Sequence, residues 1–470
     1  MDHSTVSPSR ASGGPSPDPA AVSSRGSARA TSPATSPATT AGSAAQRAGR
    51  PRDLVAVNIG NALEWFDWNI YAIFAPFFAA QFFRAEDPVS SLLSTLAVFA
   101  VGFLMRPVGG WLFGRLADDK GRKFSLTLAI LLASFGSLLI AVAPTFDAIG
   151  VWAGVVLLVA RLVQGLSHGG ETGSAFTYLA EIAPQDKRGF WASTPWLGVG
   201  VGTMLATGVG VLLTALLTEA QMAEFGWRIP FAVAALLGVY ALYIRKTMNE
   251  SEVHTERKER DEREGADSPS LREVLSELGR EWKPLLQIVG LTISGVVAFY
   301  TWFIFAPGYA SREFGMDPNA SLVAGLCGQA VFLVAIPVMG RLSDRFGRKP
   351  VLMVFAAGFA LVAFPLEWML GPSPFMLFLA MAAGSVLLAA NCAPLGAVFA
   401  ELVPTKLRAT LIGVGYATSG AIFGGTAPYL NTWLSSIGMH GLFVGYMILL
   451  CLVSVVVIIK MPETARRDLR

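Results

Sequence analysis

Several long apolar stretches of this sequence contain ionisable side chains that lipid strongly disfavours. Glu64 and Asp67 lie in the first stretch, Arg106 in the second, and Arg161 and Glu171 in the fourth. Charges inside membrane segments are rare and typically mark substrate sites or proton relays. The chemistry that these residue types could do is anion binding by a guanidinium and proton transfer by a carboxylate.

The spacing of the polar residues in two of these stretches places them on single helical faces. Residues three and four apart are neighbours on a helix surface. In the first stretch the aligned residues are Asn61, Glu64, Trp68 and Tyr71, and Asp67 lies at the edge of this stripe. In the fourth stretch they are Arg161, Gln164, His168 and Glu171.

These faces predict an anion site that is coupled to a proton. At about 1.5 Å of rise per residue, Arg106 lies level with the carboxylates of the first stretch, and Arg161 lies farther along. We therefore expect Arg106 to neutralise one carboxylate and to share the ligand with Arg161, which stays available for an anion. The expected proton carriers are Glu64, Asp67 and Glu171. The alternative is a fixed structural ion-pair set.

Uncharged groups complete the predicted substrate site. In the first half of the chain they share the faces described above, and in the second half they are isolated polar or aromatic residues in apolar stretches. The candidates are Asn61, Tyr71, Gln164, Tyr300, Asn391 and Tyr416. Packing is the competing role for each aromatic residue.

The composition identifies the class of protein that must position these groups. Of 470 residues, 53% are hydrophobic and only 15% are charged, whereas soluble domains carry about 25% charged residues. A net charge of +3 gives no reason to expect a nucleic-acid partner. The three cysteines lie in apolar segments without metal-binding or disulfide spacing, and no cofactor is expected.

Twelve apolar runs are long enough to cross a bilayer, which takes about 20 residues in a helix. Their uniform hydrophobicity predicts helices rather than barrel strands. The predicted spans are 57–83, 90–115, 123–144, 150–183, 190–217, 227–245, 284–311, 319–341, 350–371, 374–403, 408–434 and 440–460. The predicted organisation is a disordered tail (1–53), a six-helix bundle (54–245), a charged linker (246–283), a second six-helix bundle (284–460) and a short tail (461–470).

The distribution of Lys and Arg predicts the orientation. With the N-terminus in the cytoplasm, the inner segments from Arg47 onward hold 28 Lys and Arg residues, and the outer loops hold only Arg84 and Arg312. Because positive residues favour the cytoplasmic side, both termini are expected there, in a multi-pass protein of the cell membrane.

An internal repeat defines the architecture. GRLADDKGRK at 114–123 and GRLSDRFGRK at 340–349 agree at seven of ten positions, and AEIAPQDKR at 180–188 resembles AELVPTKLR at 400–408. The offsets of 226 and 220 are nearly equal. The fold class predicted is therefore an all-α membrane protein with two parallel six-helix repeats, as in transporters with a central site.

The repeated loops predict a cytoplasmic gate. Their Asp, Glu and Arg residues recur at fixed offsets, which a purely topological role for positive charge does not require. Each Asp is expected to face the N-terminus of a helix of the other half. By pseudo-symmetry the expected contacts are Arg122 with Glu181, Arg348 with Glu401, Asp118 near Arg408, and Asp344 near Arg188.

The loop motifs resemble the signature of the major facilitator superfamily. The segments 61–83, 102–123, RLVQGLSHGGETG (161–173), GWRIPF (226–231) and 415–430 look like the metabolite:proton symporter family, and within it the α-ketoglutarate permease branch. The resemblance covers about 54–460 and implies proton-coupled uptake of a small polar metabolite. An imidazole titrates near pH 6.5, which makes His168 a candidate proton switch. His168 and Thr172 depart from the pattern that this family leads us to expect, which disfavours this role and leaves it open.

These observations predict a proton-driven importer of a small carboxylate, most simply 2-oxoglutarate, that functions as a monomer. Citrate, shikimate, other dicarboxylates and proline or betaine remain alternatives, as does a drug exporter on the same fold. A long C-terminal coiled coil is common in proline/betaine carriers, and only about ten residues follow the last span. No phosphate-binding loop, zinc pair or triad suggests an ATP-driven pump or an enzyme.

Overall fold

The fold is known from a computed structural model. It describes residues 51–84, 87–120, 122–169, 172–246, 279–404, 408–467 and 469. The predicted tail and linker lie mostly outside these ranges, so the predicted domain boundaries stay predictions. The side chains of Asp118, Arg122 and Glu171 also lie outside the described part.

All regular elements of the described residues are helical, and the long ones account for the twelve predicted spans. Short helical segments between the spans are Phe146–Ile149, Gln185–Lys187, Glu219–Gln221 and Met222–Gly226. The first half contains α1 (Pro51–Phe82), α2 (Pro88–Lys120), α3 (Arg122–Val142), α4 (Trp152–Ser167, continuing as Thr172–Ile182), α5 (Arg188–Leu216) and α6 (Arg228–Lys246). The second half contains α7 (Trp282–Ala298, Phe299–Phe305 and Ala306–Phe314), α8 (Pro318–Phe346), α9 (Arg348–Trp368), α10 (Pro374–Leu402), α11 (Arg408–Ser419, Gly420–Gly424 and Ala427–Ser436) and α12 (His440–Lys460).

The helices form an integral membrane fold with two six-helix repeats, as the sequence predicted. By length and composition, eight of the described helices could cross a membrane. Large apolar side chains such as Leu361 and Trp368, each 78% exposed, cover the outside of the bundle. In lipid this arrangement is favourable because the helices satisfy their own backbone hydrogen bonds.

Three helices are irregular at positions that periodicity did not predict. Helix α4 stops at Ser167 and resumes at Thr172, while α7 and α11 contain wider π turns at Phe299–Phe305 and Gly420–Gly424. Irregular turns inside membrane helices are tolerated where protein or a cavity surrounds them. All three lie at the centre of the molecule.

Helix α5 joins the two halves. It packs along α1 on one side and along α8 on the other. The amide of Asn61 donates to the backbone oxygen of Pro195 at 2.6 Å, and Asn69 donates to Thr203 at 2.8 Å. Asn61, predicted as a substrate contact, therefore uses its amide nitrogen to join α1 to α5.

Glycines bring α2 and α4 into backbone contact. A Cβ on Gly165 would lie 2.0 Å from the backbone oxygen of Gly102, and one on Gly109 would lie 1.9 Å from that of Leu166. This close approach allows the arginine of each helix to reach the same place. Small residues at helix interfaces serve this purpose in membranes.

Replacing Gly165 with alanine should therefore destabilise the first half. The added methyl group forces α2 and α4 apart, and overpacking of this kind costs about 1–3 kcal/mol. We expect a lower midpoint of thermal unfolding in detergent. Gly208→Ala is the matched control, because a Cβ there meets nothing within 4 Å. Equal midpoints for the two variants would contradict the packing argument.

Candidate functional site

The candidate site is organised around Trp68 of α1, whose ring contacts two arginines. The guanidinium carbons of Arg106 and Arg161 each lie 4.0 Å from its centroid. Phe103 lies 4.4 Å from Arg106, and Tyr71 lies 4.3 Å from Arg161. The sequence predicted different depths for the two arginines, yet their guanidiniums converge on one ring because α2 and α4 are in contact.

Within the described residues, no carboxylate forms an ion pair with either arginine. Arg161 is fully buried and donates through Nη1 to Oε1 of Gln164 at 2.9 Å, whereas its Nε and Nη2 have no hydrogen-bond partner. Nε of Arg106, also buried, has none either. The predicted pairing of Arg106 with a carboxylate of α1 is not among its described contacts; its guanidinium lies against aromatic faces instead. Unused donors of buried guanidiniums suit a carboxylate ligand.

A polar network connects Arg161 to the buried carboxylate of Asp67. The amide of Gln164 accepts from Arg161 and donates to Oδ2 of Asp67 at 3.2 Å and to Ser137 at 2.8 Å. Ser137 donates to Oδ1 of Asp67. The network spans α1, α3 and α4, so a ligand that recruits Arg161 would perturb the hydrogen bonds of Asp67.

The remaining predicted residues of the first half are placed as follows. The ring of Tyr71 covers Arg161, and its hydroxyl donates to the backbone oxygen of Thr95 at 2.9 Å. Glu64 is half-buried and has contacts. The prediction for Glu171 lies outside the described side chains.

The two halves meet around a small central cavity of about 20 Å³. Arg106 lines it from the first half, together with Trp65 and Trp196. The predicted residues of the second half also line it, namely Tyr300, Asn391 and Tyr416. The hydroxyl of Tyr300 is buried without a partner, and Asn391 donates weakly to Leu291 at 3.4 Å. The cavity therefore combines one guanidinium, free polar atoms and aromatic walls.

Sequence reasoning assigned no role to some of these residues. Trp68 lies on the polar stripe of α1, and its type and position were the available signal. Ser137 is a neutral residue in an apolar helix, and nothing in its local sequence marks it. Only the packing of α3 against α1 and α4 reveals its contact with Asp67.

Buried ion pairs close one end of the molecule, which we call the basic end. Arg348 pairs with Glu401 at 3.2 Å and with Asp344 at 2.8 Å. Arg188 pairs with Glu401 at 3.1 Å, and Asp344 accepts from the backbone nitrogen of Gly189 at 2.7 Å. The predicted contact of Arg348 with Glu401 is present, and Asp344 faces the start of α5 as expected.

One contact at this end was not predicted. Glu181 accepts from Arg408 at 2.6 Å, which joins α4 to α11 across the two halves. The sequence assigned Glu181 to Arg122. Because the side chains of Arg122 and Asp118 lie outside the described part, their contacts stay predictions.

The residues after α12 fold against the basic end. Burial raises the pKa of Glu463, but hydrogen bonds from the backbone nitrogens of Ala465, Arg348, Lys349 and Thr464 outweigh burial, so the pKa lies below its usual value. The Glu463 carboxylate thus caps the N-terminus of α9, in keeping with the preference of helix N-termini for negative charge.

A larger cavity of about 380 Å³ lies at the opposite end, between α1, α2, α7, α8 and α11. Pro76, Leu92, Phe305, Tyr309 and Asn431 are among its lining residues. The molecule therefore combines a closed basic end with a cavity at the far end. No cluster of the described residues could hold a metal ion.

Two matched halves around buried arginines, with ion pairs that join them at one end, define a membrane transporter with the major facilitator fold. Residues 54–470 match the sugar (and other) transporter family, and the chain belongs to this family of the major facilitator superfamily. The α-ketoglutarate permease of Escherichia coli (strain K12) is 37% identical over 408 residues, which cover 86% of this chain and 92% of that protein.

Other relatives bear on the substrate and the fold. The proline/betaine transporter of Escherichia coli (strain K12) is 32% identical over 427 residues, covering 89% of this chain and 84% of that protein. The crystal structure of a D-xylose-proton symporter matches with a TM-score of 0.69 at 18% identity, covering 88% of this chain and 99% of that chain. The structural match supports the fold alone.

Proposed function

We propose that this transporter imports a small carboxylate, 2-oxoglutarate in the first instance, together with protons by alternating access. The observation that carries the proposal is the pair of buried guanidiniums without an ion pair among the described residues, Arg106 and Arg161. Each can donate two parallel hydrogen bonds to a planar carboxylate. A dicarboxylate would offset both charges.

The network of Arg161, Gln164 and Asp67 supports coupling to protons. A carboxylate bound to the free Nε and Nη2 of Arg161 would draw on the guanidinium whose Nη1 donates to Oε1 of Gln164, and the nitrogen of the same amide donates to Asp67. Substrate binding would then change the hydrogen bonds that favour the ionised form of Asp67. Asp67 is therefore the proton carrier that this network supports, and Glu64 and Glu171 stay predictions. The proton is the coupling ion, and no cofactor is required.

The basic end is the proposed cytoplasmic gate. Its contacts between Arg188 and Glu401 and between Glu181 and Arg408 join the halves, so they hold this end shut while the far end is open. The excess of Lys and Arg at this end favours its location in the cytoplasm, with both chain termini on the same side. We propose a monomer in the cell membrane.

A second substrate class is favoured by the aromatic walls of the central cavity. Trp65, Trp196, Phe299 and Tyr416 line it. Aromatic faces attract quaternary ammonium groups. Glycine betaine, which carries such a group and one carboxylate, could therefore bind with its carboxylate on Arg106. The 32% identical proline/betaine transporter is consistent with this alternative.

Uptake into proteoliposomes tests the proposal. The candidates are labelled 2-oxoglutarate, citrate, succinate, shikimate and glycine betaine, each with and without an inward proton gradient. We expect 2-oxoglutarate to accumulate, and the inward proton gradient should raise the rate of uptake at least about tenfold. A gradient that supplies about 1.4 kcal/mol to the transported proton corresponds to that factor. A protonophore should abolish the increase.

Each contrary outcome identifies a different error. Uptake of glycine betaine but of none of the other four compounds would assign the site to the second substrate class. A rate of 2-oxoglutarate uptake that does not depend on the proton gradient would contradict coupling to protons. Extrusion of apolar cations without carboxylate uptake would indicate the drug exporter.

A further inference from the structure

His168 lies at the break of α4, beside the arginine pair. It follows Ser167, the last residue of the first α4 segment, and is buried. Its ring is tilted against the ring of Trp68, with the centroids 4.9 Å apart, and Arg106 and Arg161 contact the same Trp68 ring. The mechanism above does not use this residue.

Both ring nitrogens of His168 have hydrogen-bonding partners on two different helices. Nε2 lies 3.2 Å from the backbone oxygen of Glu64 on α1. Nδ1 lies 2.9 Å from the backbone oxygen of Gln164 and 3.0 Å from the hydroxyl of Ser167. The imidazole thus connects α1 to the end of the first α4 segment.

These partners satisfy the ring in either protonation state. In the neutral form, Nε2 donates to the backbone oxygen of Glu64. The hydroxyl of Ser167, which donates to the backbone oxygen of Gln164 at 2.7 Å, turns to donate to Nδ1 instead. In the charged form, both nitrogens donate, Nδ1 to the backbone oxygen of Gln164 and Nε2 to that of Glu64. A neutral imidazole has one donor and one acceptor, and an imidazolium has two donors. The site therefore accepts a proton without leaving a buried polar atom unpaired.

The surrounding charges decide which form is present. Of the described charged residues on α1, α2 and α4, Arg106 and Arg161 contact the same Trp68 ring as His168. Glu64 and Asp67 are close to Trp68 in α1, whereas Arg115, Lys120 and Glu181 lie farther along α2 and α4. Two nearby guanidiniums disfavour a third positive charge in a buried site. A substrate with two carboxylates removes most of this repulsion when it binds the arginines.

We propose that His168 takes up a proton from solvent when an anionic substrate binds the arginine pair and releases it when the substrate leaves. The proposal rests on the carboxylate function proposed above. It makes His168 a second proton site beside Asp67, and a dianion that enters with two protons would cross the membrane without net charge.

Thermodynamic linkage sets the sign of the effect. If substrate binding promotes protonation of His168, protonation promotes substrate binding to the same extent. Substrate affinity should therefore rise as the pH falls. In the variant His168→Gln, substrate affinity should depend less on pH, because an amide does not titrate in this range.

Calorimetry of 2-oxoglutarate binding measures the proton uptake directly. Titrations of the full chain in detergent, in two buffers with different ionisation enthalpies, give the protons taken up per substrate bound. We expect His168→Gln to take up about one proton fewer than the wild type near neutral pH. His440→Gln is the matched control, because His440 pairs with Glu367 away from the arginines, and it should keep the wild-type value.

A spectroscopic readout reports on the ring itself. The chain has only four histidines, so nitrogen NMR of ¹⁵N-histidine-labelled protein gives few signals, and the signal absent in His168→Gln belongs to His168. Saturating 2-oxoglutarate should convert this signal from the neutral to the imidazolium pattern. Succinate should do the same, since the shared chemistry is the pair of carboxylates.

The outcomes separate this proposal from the one on which it rests. Binding with the same proton uptake in the wild type and in His168→Gln would overturn the role of His168 and leave carboxylate transport intact. A neutral His168 signal at saturating substrate would do the same. Failure of the wild type to bind any carboxylate would overturn both proposals.

Discussion

Replacing Arg161 with lysine should reduce carboxylate uptake at least about 100-fold, although the positive charge is kept. The guanidinium lies 4.0 Å from the ring of Trp68 and 4.3 Å from that of Tyr71, which together orient its plane. A hydrogen bond to a charged group contributes about 1.5–3 kcal/mol, so the loss of one or two of them weakens substrate binding by a factor on the order of 100. A lysine ammonium cannot form the two parallel hydrogen bonds that Arg161 offers.

The test compares initial uptake rates and substrate dissociation constants for Arg161→Lys and Arg161→Ala in proteoliposomes. Arg228→Lys is the matched control, because Arg228 donates to the backbone oxygens of Ala141 and Ala143, a task that an ammonium can also perform. Elution volume and the midpoint of thermal unfolding report on folding. Near-normal uptake by Arg161→Lys would show that Arg161 is not part of the anion site.

Replacing Glu401 with glutamine should open the basic end and reduce transport at least about tenfold. Two buried arginines depend on this carboxylate: Arg348, at 3.2 Å, and Arg188, at 3.1 Å. Breaking a buried pair by removing one partner costs about 3–5 kcal/mol, because the remaining charge is uncompensated. The contact between Arg188 and Glu401 joins the halves, so its loss favours the state in which they separate at this end.

Thiol labelling measures this opening. In a Cys327→Ser background, which removes the exposed native cysteine, Ser193→Cys places a thiol at a buried position of α5 near the ion pairs. A maleimide added from the basic end should label it at least about ten times faster when Glu401 is glutamine, following the same energetic argument.

The matched control removes a carboxylate at the other end. Asp147 pairs with Arg84 at 3.2 Å, but both side chains are more than 70% exposed. Exposed pairs contribute little, so Asp147→Asn should leave labelling and uptake unchanged. Equal labelling rates with and without Glu401→Gln would contradict a gating role for the ion pairs.

Features of the fold that depend on local sequence could be predicted closely. The twelve helices end within a few residues of the predicted spans, because span length and hydrophobicity are local properties. The loop repeat also predicted the contact of Arg348 with Glu401, since two copies of one motif must occupy equivalent positions. Irregular turns in α4, α7 and α11 escaped prediction, because each depends on what packs around the helix.

The same distinction between local sequence and packing applies to the candidate site. Sequence alone identified Arg106, Arg161 and Asp67, because charges within apolar spans are conspicuous wherever the helices pack. Only the tertiary structure decided that both guanidiniums lie on Trp68 without an ion pair among the described residues, and that Gln164 links Arg161 to Asp67. The reason is that these contacts depend on how closely α1, α2, α3 and α4 approach one another, which glycines such as Gly165 and Gly109 permit and helical periodicity does not encode.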